Sequence, residues 1–152
     1  FSYGLKTLAF RFFNVYGPGQ RAGHAYAAVI PIFIDKALRG ESLPVNGDGL
    51  TSRDFTFVET VCNTLLEAAR RRVTHPEPVN LAFGTNTSLN DLIAELSGLL
   101  GRELQVDHHP PRAGDVRHSE ADSTVLRGLF PDVRPVPLPT GLGRTVDWFR
   151  TS

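Results

Sequence analysis

Two arginines carry the chemistry most open to a charged ligand. Arg53 follows a glycine turn at the start of a strand pattern, and Arg112 lies in the loop Arg112-Ala113-Gly114-Asp115. A guanidinium is a planar fork of donors that matches phosphate or carboxylate oxygens. A surface salt bridge is the ordinary alternative for each. His108-His109 and His118 could suggest a metal, but no cysteine or carboxylate stands beside them at a recognised ligand spacing, so no metal site is expected. Gly47-Asp48-Gly49 and Gly141-Leu142-Gly143 each lack a third spaced glycine, so neither reads as a dinucleotide-binding loop. No nucleophile elbow is present. Cys62 falls beside the apolar stripe of a helix and is expected to be a buried structural thiol.

The elements that must position these groups alternate between strand and helix. Leu5 to Tyr16 is apolar and β-favouring, and Gly17-Pro18-Gly19 stops it. Helical spacing places a helix from about Ile30 to Gly40, with Pro31 in its first turn. Leu43–Asn46 and Arg53–Val58 read as short strands, followed by a helix over about Glu59–Arg71 with Val61, Leu65, Leu66 and Ala69 inward. Val79–Gly84 reads as a buried strand. Leu89–Leu100 is a helix with a Ser88/Asp91 capping box and a Gly101 stop. Leu104–Asp107 is a strand and His108–Gly114 a loop. Ser123–Leu129 and Leu142–Phe149 are helices, joined by an extended stretch through Pro131, Pro135, Pro137 and Pro139. Alternation of this kind indicates an α/β fold.

The 152 residues suit one domain, with 41% hydrophobic and 21% charged residues. Sixteen basic residues balance sixteen acidic ones, which gives no general attraction to nucleic acid or anionic membrane. No apolar run reaches the about eighteen residues of a spanning helix. With one cysteine and no signal peptide pattern, a cytoplasmic setting is expected. The chain lacks methionine and opens on Phe1, so a piece of a longer protein is expected.

Six segments, in order, resemble the extended short-chain dehydrogenases/reductases of the NAD-dependent epimerase/dehydratase family. They are Phe12-Phe13-Asn14-Val15-Tyr16-Gly17-Pro18, Val29-Ile30-Pro31, Gly47-Asp48-Gly49, Ser52-Arg53-Asp54-Phe55, Asn80-Leu81-Ala82-Phe83-Gly84, and Arg112-Ala113-Gly114-Asp115-Val116-Arg117-His118-Ser119 continuing to Ala121-Asp122. The likeness covers nearly the whole chain and ends in the helix that follows Gly141-Leu142. It implies a substrate-binding portion with the last strands of a Rossmann-type parallel sheet whose first half is absent. Residues 1–18 would be a late Rossmann strand and 19–152 mainly the substrate-binding part.

The family's Gly-x-x-Gly-x-x-Gly loop and Tyr-x-x-x-Lys pair do not occur in the sequence, so no catalytic residue is expected in it. The resemblance carries other roles over. Asn14 would hydrogen-bond the sugar or its phosphate, and Phe12 would lie beside the nicotinamide of NAD. The backbone of Ala28 and Val29 would meet the nucleotide, and Asn46 would face the nucleoside. Arg53 and Arg112 would hold the diphosphate, and Asp115 the ribose hydroxyls. Ser119 would gate the sugar pocket, a small residue there admitting N-acetylated sugars. The form of the Arg112–Asp122 segment resembles UDP-hexose 4-epimerases, which implies a UDP-sugar substrate and a homodimeric parent enzyme. A dehydratase, decarboxylase or reductase of the same family is the alternative, and a non-catalytic nucleotide-sugar binding module is the alternative of another class.

Overall fold

Every strand among the described residues is two to four residues long, and their pairing is largely parallel. The computed structural model describes residues 4–23, 28–111, 114 and 116–151. The elements run β1 (Phe10–Phe12), β2 (Val15–Tyr16), α1 (Val29–Arg39), β3 (Leu43–Asn46), β4 (Ser52–Arg53), β5 (Thr56–Phe57) and α2 (Val58–Arg71). They continue β6 (Val79–Leu81), β7 (Thr87–Ser88), α3 (Leu89–Leu100), β8 (Val106–His109), β9 (His118–Ser119), α4 (Thr124–Leu129) and α5 (Leu138–Thr151). The pairs β1·β6, β2·β5, β3·β8 and β4·β9 are parallel, and β4·β7 is antiparallel. A parallel pair needs a long crossover, and the intervening helices supply it. The fold is α/β, as the alternation implies.

Two expected strands are each broken in two by a change of partner. The run from Leu5 divides into β1, which follows β6, and β2, which follows β5. Asn14 stands at the switch. Its carbonyl accepts from Thr56 N at 3.2 Å, and its amide Nδ2 donates to Asp54 O at 3.2 Å. The expected strand 53–58 divides into β4 and β5 at Asp54, whose carboxylate turns into the protein. Strand β8 begins two residues later than the pattern suggests, because it takes its register from β3, with Val45 opposite His108. His108 and His109 therefore lie on a strand and not in a loop. Helix α5 starts at Leu138, earlier than expected, because Pro139 fits a first turn that needs no N–H from it.

Helix α2 corrects the expected inward face. It buries Thr60, Val61 and Thr64, while Leu65 and Leu66 are exposed. The two threonines can be buried because their hydroxyls are used. Thr64 Oγ1 donates to Thr60 O at 2.8 Å, and Thr60 Oγ1 accepts from Val136 N at 3.0 Å. Cys62 is exposed, contrary to expectation, since the true inward face is rotated away from it.

Two apolar clusters result. The larger unites α1, β3, α3 and α5 through Ile30, Phe33, Ile34, Leu43, Leu92, Leu96 and Leu142. The smaller unites α2, β6 and α4 through Val61, Val79, Leu81, Phe83, Leu126 and Phe130.

Candidate functional site

The strand β4 gathers most of the polar chemistry. It is two residues long and lies between β7 and β9. Its register sets Ser52 beside His118 and Arg53 beside Ser119. Alternation along the strand sends Ser52 and Arg53 to opposite faces. Ser52 is buried and its Oγ lies 3.0 Å from His118 Nδ1. Arg53 Nη1 donates to Val116 O at 2.7 Å and to Ser52 O at 2.8 Å, which fixes the plane of its guanidinium.

Asp54, fully buried, anchors this strand from behind. Its Oδ2 accepts from Gly84 N at 2.8 Å and its Oδ1 from Thr85 Oγ1 at 2.8 Å. A buried carboxylate needs such donors to be tolerated. With Asn14 bonded to the Asp54 carbonyl, the Phe12–Tyr16 segment, β4 and the Gly84–Thr85 turn converge on one residue.

A glycine turn leads from β3 into β4. Gly49 has φ +75°, and a Cβ there would stand 2.0 Å from Asn90 Oδ1, so both conformation and space call for glycine. Asn90 closes the turn, its N donating to Gly49 O and its Nδ2 to Asp48 O, both at 3.1 Å. Arg117 Nη2 bridges to Asp48 Oδ2 at 2.8 Å, and His108 Nδ1 lies 2.8 Å from Gly47 O. Asn46 is the last residue of β3, half-buried, opposite His109.

Ala28 is the N-cap of α1 and has extended backbone, and no side chain caps the helix. Pro31 has no N–H, so the first turn offers the N–H groups of Val29 and Ile30, the partial positive end of the helix dipole. Gly40 in the left-handed region ends α1, and a short turn reverses the chain into β3. The N-terminus of α1 thereby lies toward the carboxyl end of β3, where Asn46 sits, the usual ligand side of an open α/β sheet. Phe12 closes β1 and is 58% exposed. Further on, the Thr124 hydroxyl and backbone N–H hold the Asp122 carboxyl below its usual value, while the Asp122 carbonyl accepts from Asn80 Nδ2 at 3.3 Å.

The structure thus brings Arg53 and Ser119 side by side, sets Asn14 against the next residue of the chain, and leads from Asn46 to them by one turn. Arg112 and Asp115 lie outside the described residues. The Ser52–His118 bond, the Asp54 anchor and the Asn90 latch have no counterpart in the sequence reading. Asp54 alone had a usable signal, a single carboxylate inside an otherwise β-favouring run.

What these features define is an α/β protein whose polar groups collect at strand ends, with cationic and backbone N–H donors suited to an anion. The chain belongs to the NAD dependent epimerase/dehydratase family, whose model matches residues 2–82. It is 34% identical over 137 residues to UDP-glucose 4-epimerase of Mycolicibacterium smegmatis, covering 90% of this chain and 43% of that protein. Among solved structures it is similar to UDP-glucose 4-epimerase of Thermotoga maritima with UDP-glucose (37% identity, TM-score 0.89, 98% of this chain and 47% of that one). It is likewise similar to UDP-N-acetylglucosamine 4-epimerase of Methanobrevibacter ruminantium with UDP-N-acetylmuramic acid (36%, 0.89, 99% and 48%). Family relatives also include a UDP-N-acetyl-alpha-D-glucosaminuronate decarboxylase and dTDP-glucose 4,6-dehydratases. NAD is the cofactor of the family, and the solved neighbour MoeE5 holds it together with UDP-glucuronic acid. The chain spans about half the length of the curated relatives it matches. Among the described residues, no helix is long and apolar enough to cross a membrane.

Proposed function

We propose that this chain is the nucleotide-sugar-binding part of an NAD-dependent UDP-hexose 4-epimerase acting on UDP-glucose and UDP-N-acetylglucosamine. We assign the segment up to residue 18, which carries β1 and β2, to the late part of the cofactor-binding sheet, and the rest of the chain mainly to the substrate-binding part. The observation that carries the reading is the β4·β9 register, which sets the small Ser119 beside the cation Arg53. The similarity to two 4-epimerases over almost the whole chain supports it.

Arg53 and Arg112 neutralise the diphosphate, and the N–H groups at Ala28–Val29 add donors at the helix start. Asn46 meets the nucleoside, Asp115 accepts from the ribose hydroxyls, and Asn14 bonds the sugar or its phosphate. Anchored at the nucleotide, the sugar can present either face. Ser119 leaves room for an N-acetyl group. The exposed Phe12, at the carboxyl end of a parallel strand, fits a flat nicotinamide. Held beside Phe12, NAD would supply the hydride acceptor and donor for the sugar. The parent enzyme acts as a homodimer in the cytoplasm.

The test uses the full-length protein with UDP-glucose and with UDP-N-acetylglucosamine, each product resolved by chromatography. Both substrates should reach equilibrium with their 4-epimers without net change in NADH absorbance. Ser119→Tyr should keep the UDP-glucose reaction and suppress the N-acetyl one. Equal survival of both rejects the gate. A lasting keto product, or net NAD turnover, points instead to a dehydratase, decarboxylase or reductase, and binding of UDP without any reaction points to a non-catalytic module.

A further inference from the structure

Strand β9 is only His118–Ser119, and Val116, two residues before it, accepts from the guanidinium of Arg53. Three of the bonds that tie this strap to β4 involve Ser52 and Arg53. Ser52 N donates to Arg117 O at 2.9 Å, Ser52 Oγ lies 3.0 Å from His118 Nδ1, and Arg53 Nη1 donates to Val116 O at 2.7 Å. A ladder of two residues has few backbone bonds, so side-chain bonds, Ser52 to His118 on β4 and Arg117 to Asp48 in the turn before it, carry much of the attachment. Ser52 is buried on a strand anchored by Asp54, so it is the fixed partner. His118 is exposed, and replacing it opens no cavity. Its bond sets where the strap lies, and the strap sets where the Val116 carbonyl holds Arg53.

We propose that His118 is a positioning residue that orients Arg53 toward an anionic ligand through Ser52 and the Val116 carbonyl. This rests on the reading of Arg53 as a diphosphate ligand. No step of proton transfer is assigned to the imidazole.

The experiment is calorimetric titration of the full-length protein with UDP, for wild type, H118A, H118N, R53A and R53A/H118A, with steady-state kinetics on UDP-glucose. H118A should weaken UDP about tenfold, the worth of about one hydrogen bond, and raise KM while kcat stays level. H118N should restore affinity, since its amide can donate or accept where Nδ1 does. In the R53A background H118A should change affinity by less than about twofold, because coupled residues do not add. Equal weakening by H118A in both backgrounds overturns the inference, as does H118N behaving like H118A. If R53A weakens UDP and H118A does not, the positioning role fails and the diphosphate reading survives. If R53A binds UDP like wild type, the diphosphate reading itself fails, and the inference with it.

Discussion

The two apolar clusters are built differently. Around α1, β3, α3 and α5 the packing closes on itself, with Ile34, Leu43, Leu92, Leu96 and Leu142 wholly shielded from solvent. Around β1, β6 and α2 it stays open on one side. A groove of about 620 Å³ runs between Leu8 and Phe10 on one wall and Leu65, Ala68 and Ala69 on the other, rimmed by Lys6 and Arg72. Leu5 and Leu66 are exposed nearby in the chain. The closed cluster can hold its shape by its own contacts. The open one presents apolar surface of the kind that proteins cover with further structure. The candidate site hangs on the seam between them, where Asp54 joins β4 to the Gly84–Thr85 turn that follows β6.

Substitutions graded across these regions break or sharpen that contrast. Phe33→Ala, in the closed cluster, should cost about 3–5 kcal/mol in denaturant unfolding, the usual loss for a buried phenylalanine. A much smaller loss means the closed cluster is not what holds the fold. Asp54→Ala, at the seam, strips the acceptors from Gly84 N and Thr85 Oγ1, and should cost about 1.5–3 kcal/mol. Unchanged stability here would show that the two clusters do not depend on the Asp54 carboxylate. Tyr16 is buried in the closed cluster with its hydroxyl donating to Leu138 O at 3.4 Å, and burial pushes its pKa up from the ordinary 10.0. A raised folded pKa means stability that is complete below pH 10 and falls as pH rises toward the folded value, because the unfolded chain ionises first. Tyr16→Phe should flatten the decline of stability above that pH, measured by urea unfolding at several alkaline pH values. Leu66→Ser, on the outer side of α2, should move stability by less than about 0.5 kcal/mol. A large loss there would mean that α2 is covered after all.

How far the fold could be read from sequence depended on how local its causes are. Helix α3 has the bounds the pattern suggests, Leu89 to Leu100, because its Ser88/Asp91 capping box and its Gly101 stop are near neighbours in the chain. Strand β3 matches its pattern for the same reason, with a proline-containing apolar run closed by a glycine turn. The breaks at Asn14 and Asp54 escaped because they reflect which strand lies alongside, a fact of tertiary structure. The inward face of α2 was misjudged because a threonine counts as polar until its hydroxyl finds a carbonyl or an N–H. Strands β7 and β9 are too short to show a period. In the site, Arg53 and Ser119 could be singled out by their resemblance to a family pattern. The Ser52–His118 bond joins residues far apart in sequence and has no local signature.

The buried Asp54 bears on kinetics as well as on stability. Its carboxylate ties the chain just after Arg53 to the Gly84–Thr85 turn, while two carbonyls fix the guanidinium plane, so this donor is held in place before any anion arrives. A ligand engaging Arg53 gives up little conformational entropy of the protein at that contact. Capture at that contact should then be governed by diffusion and charge, and affinity differences among ligands should show up in how fast they leave.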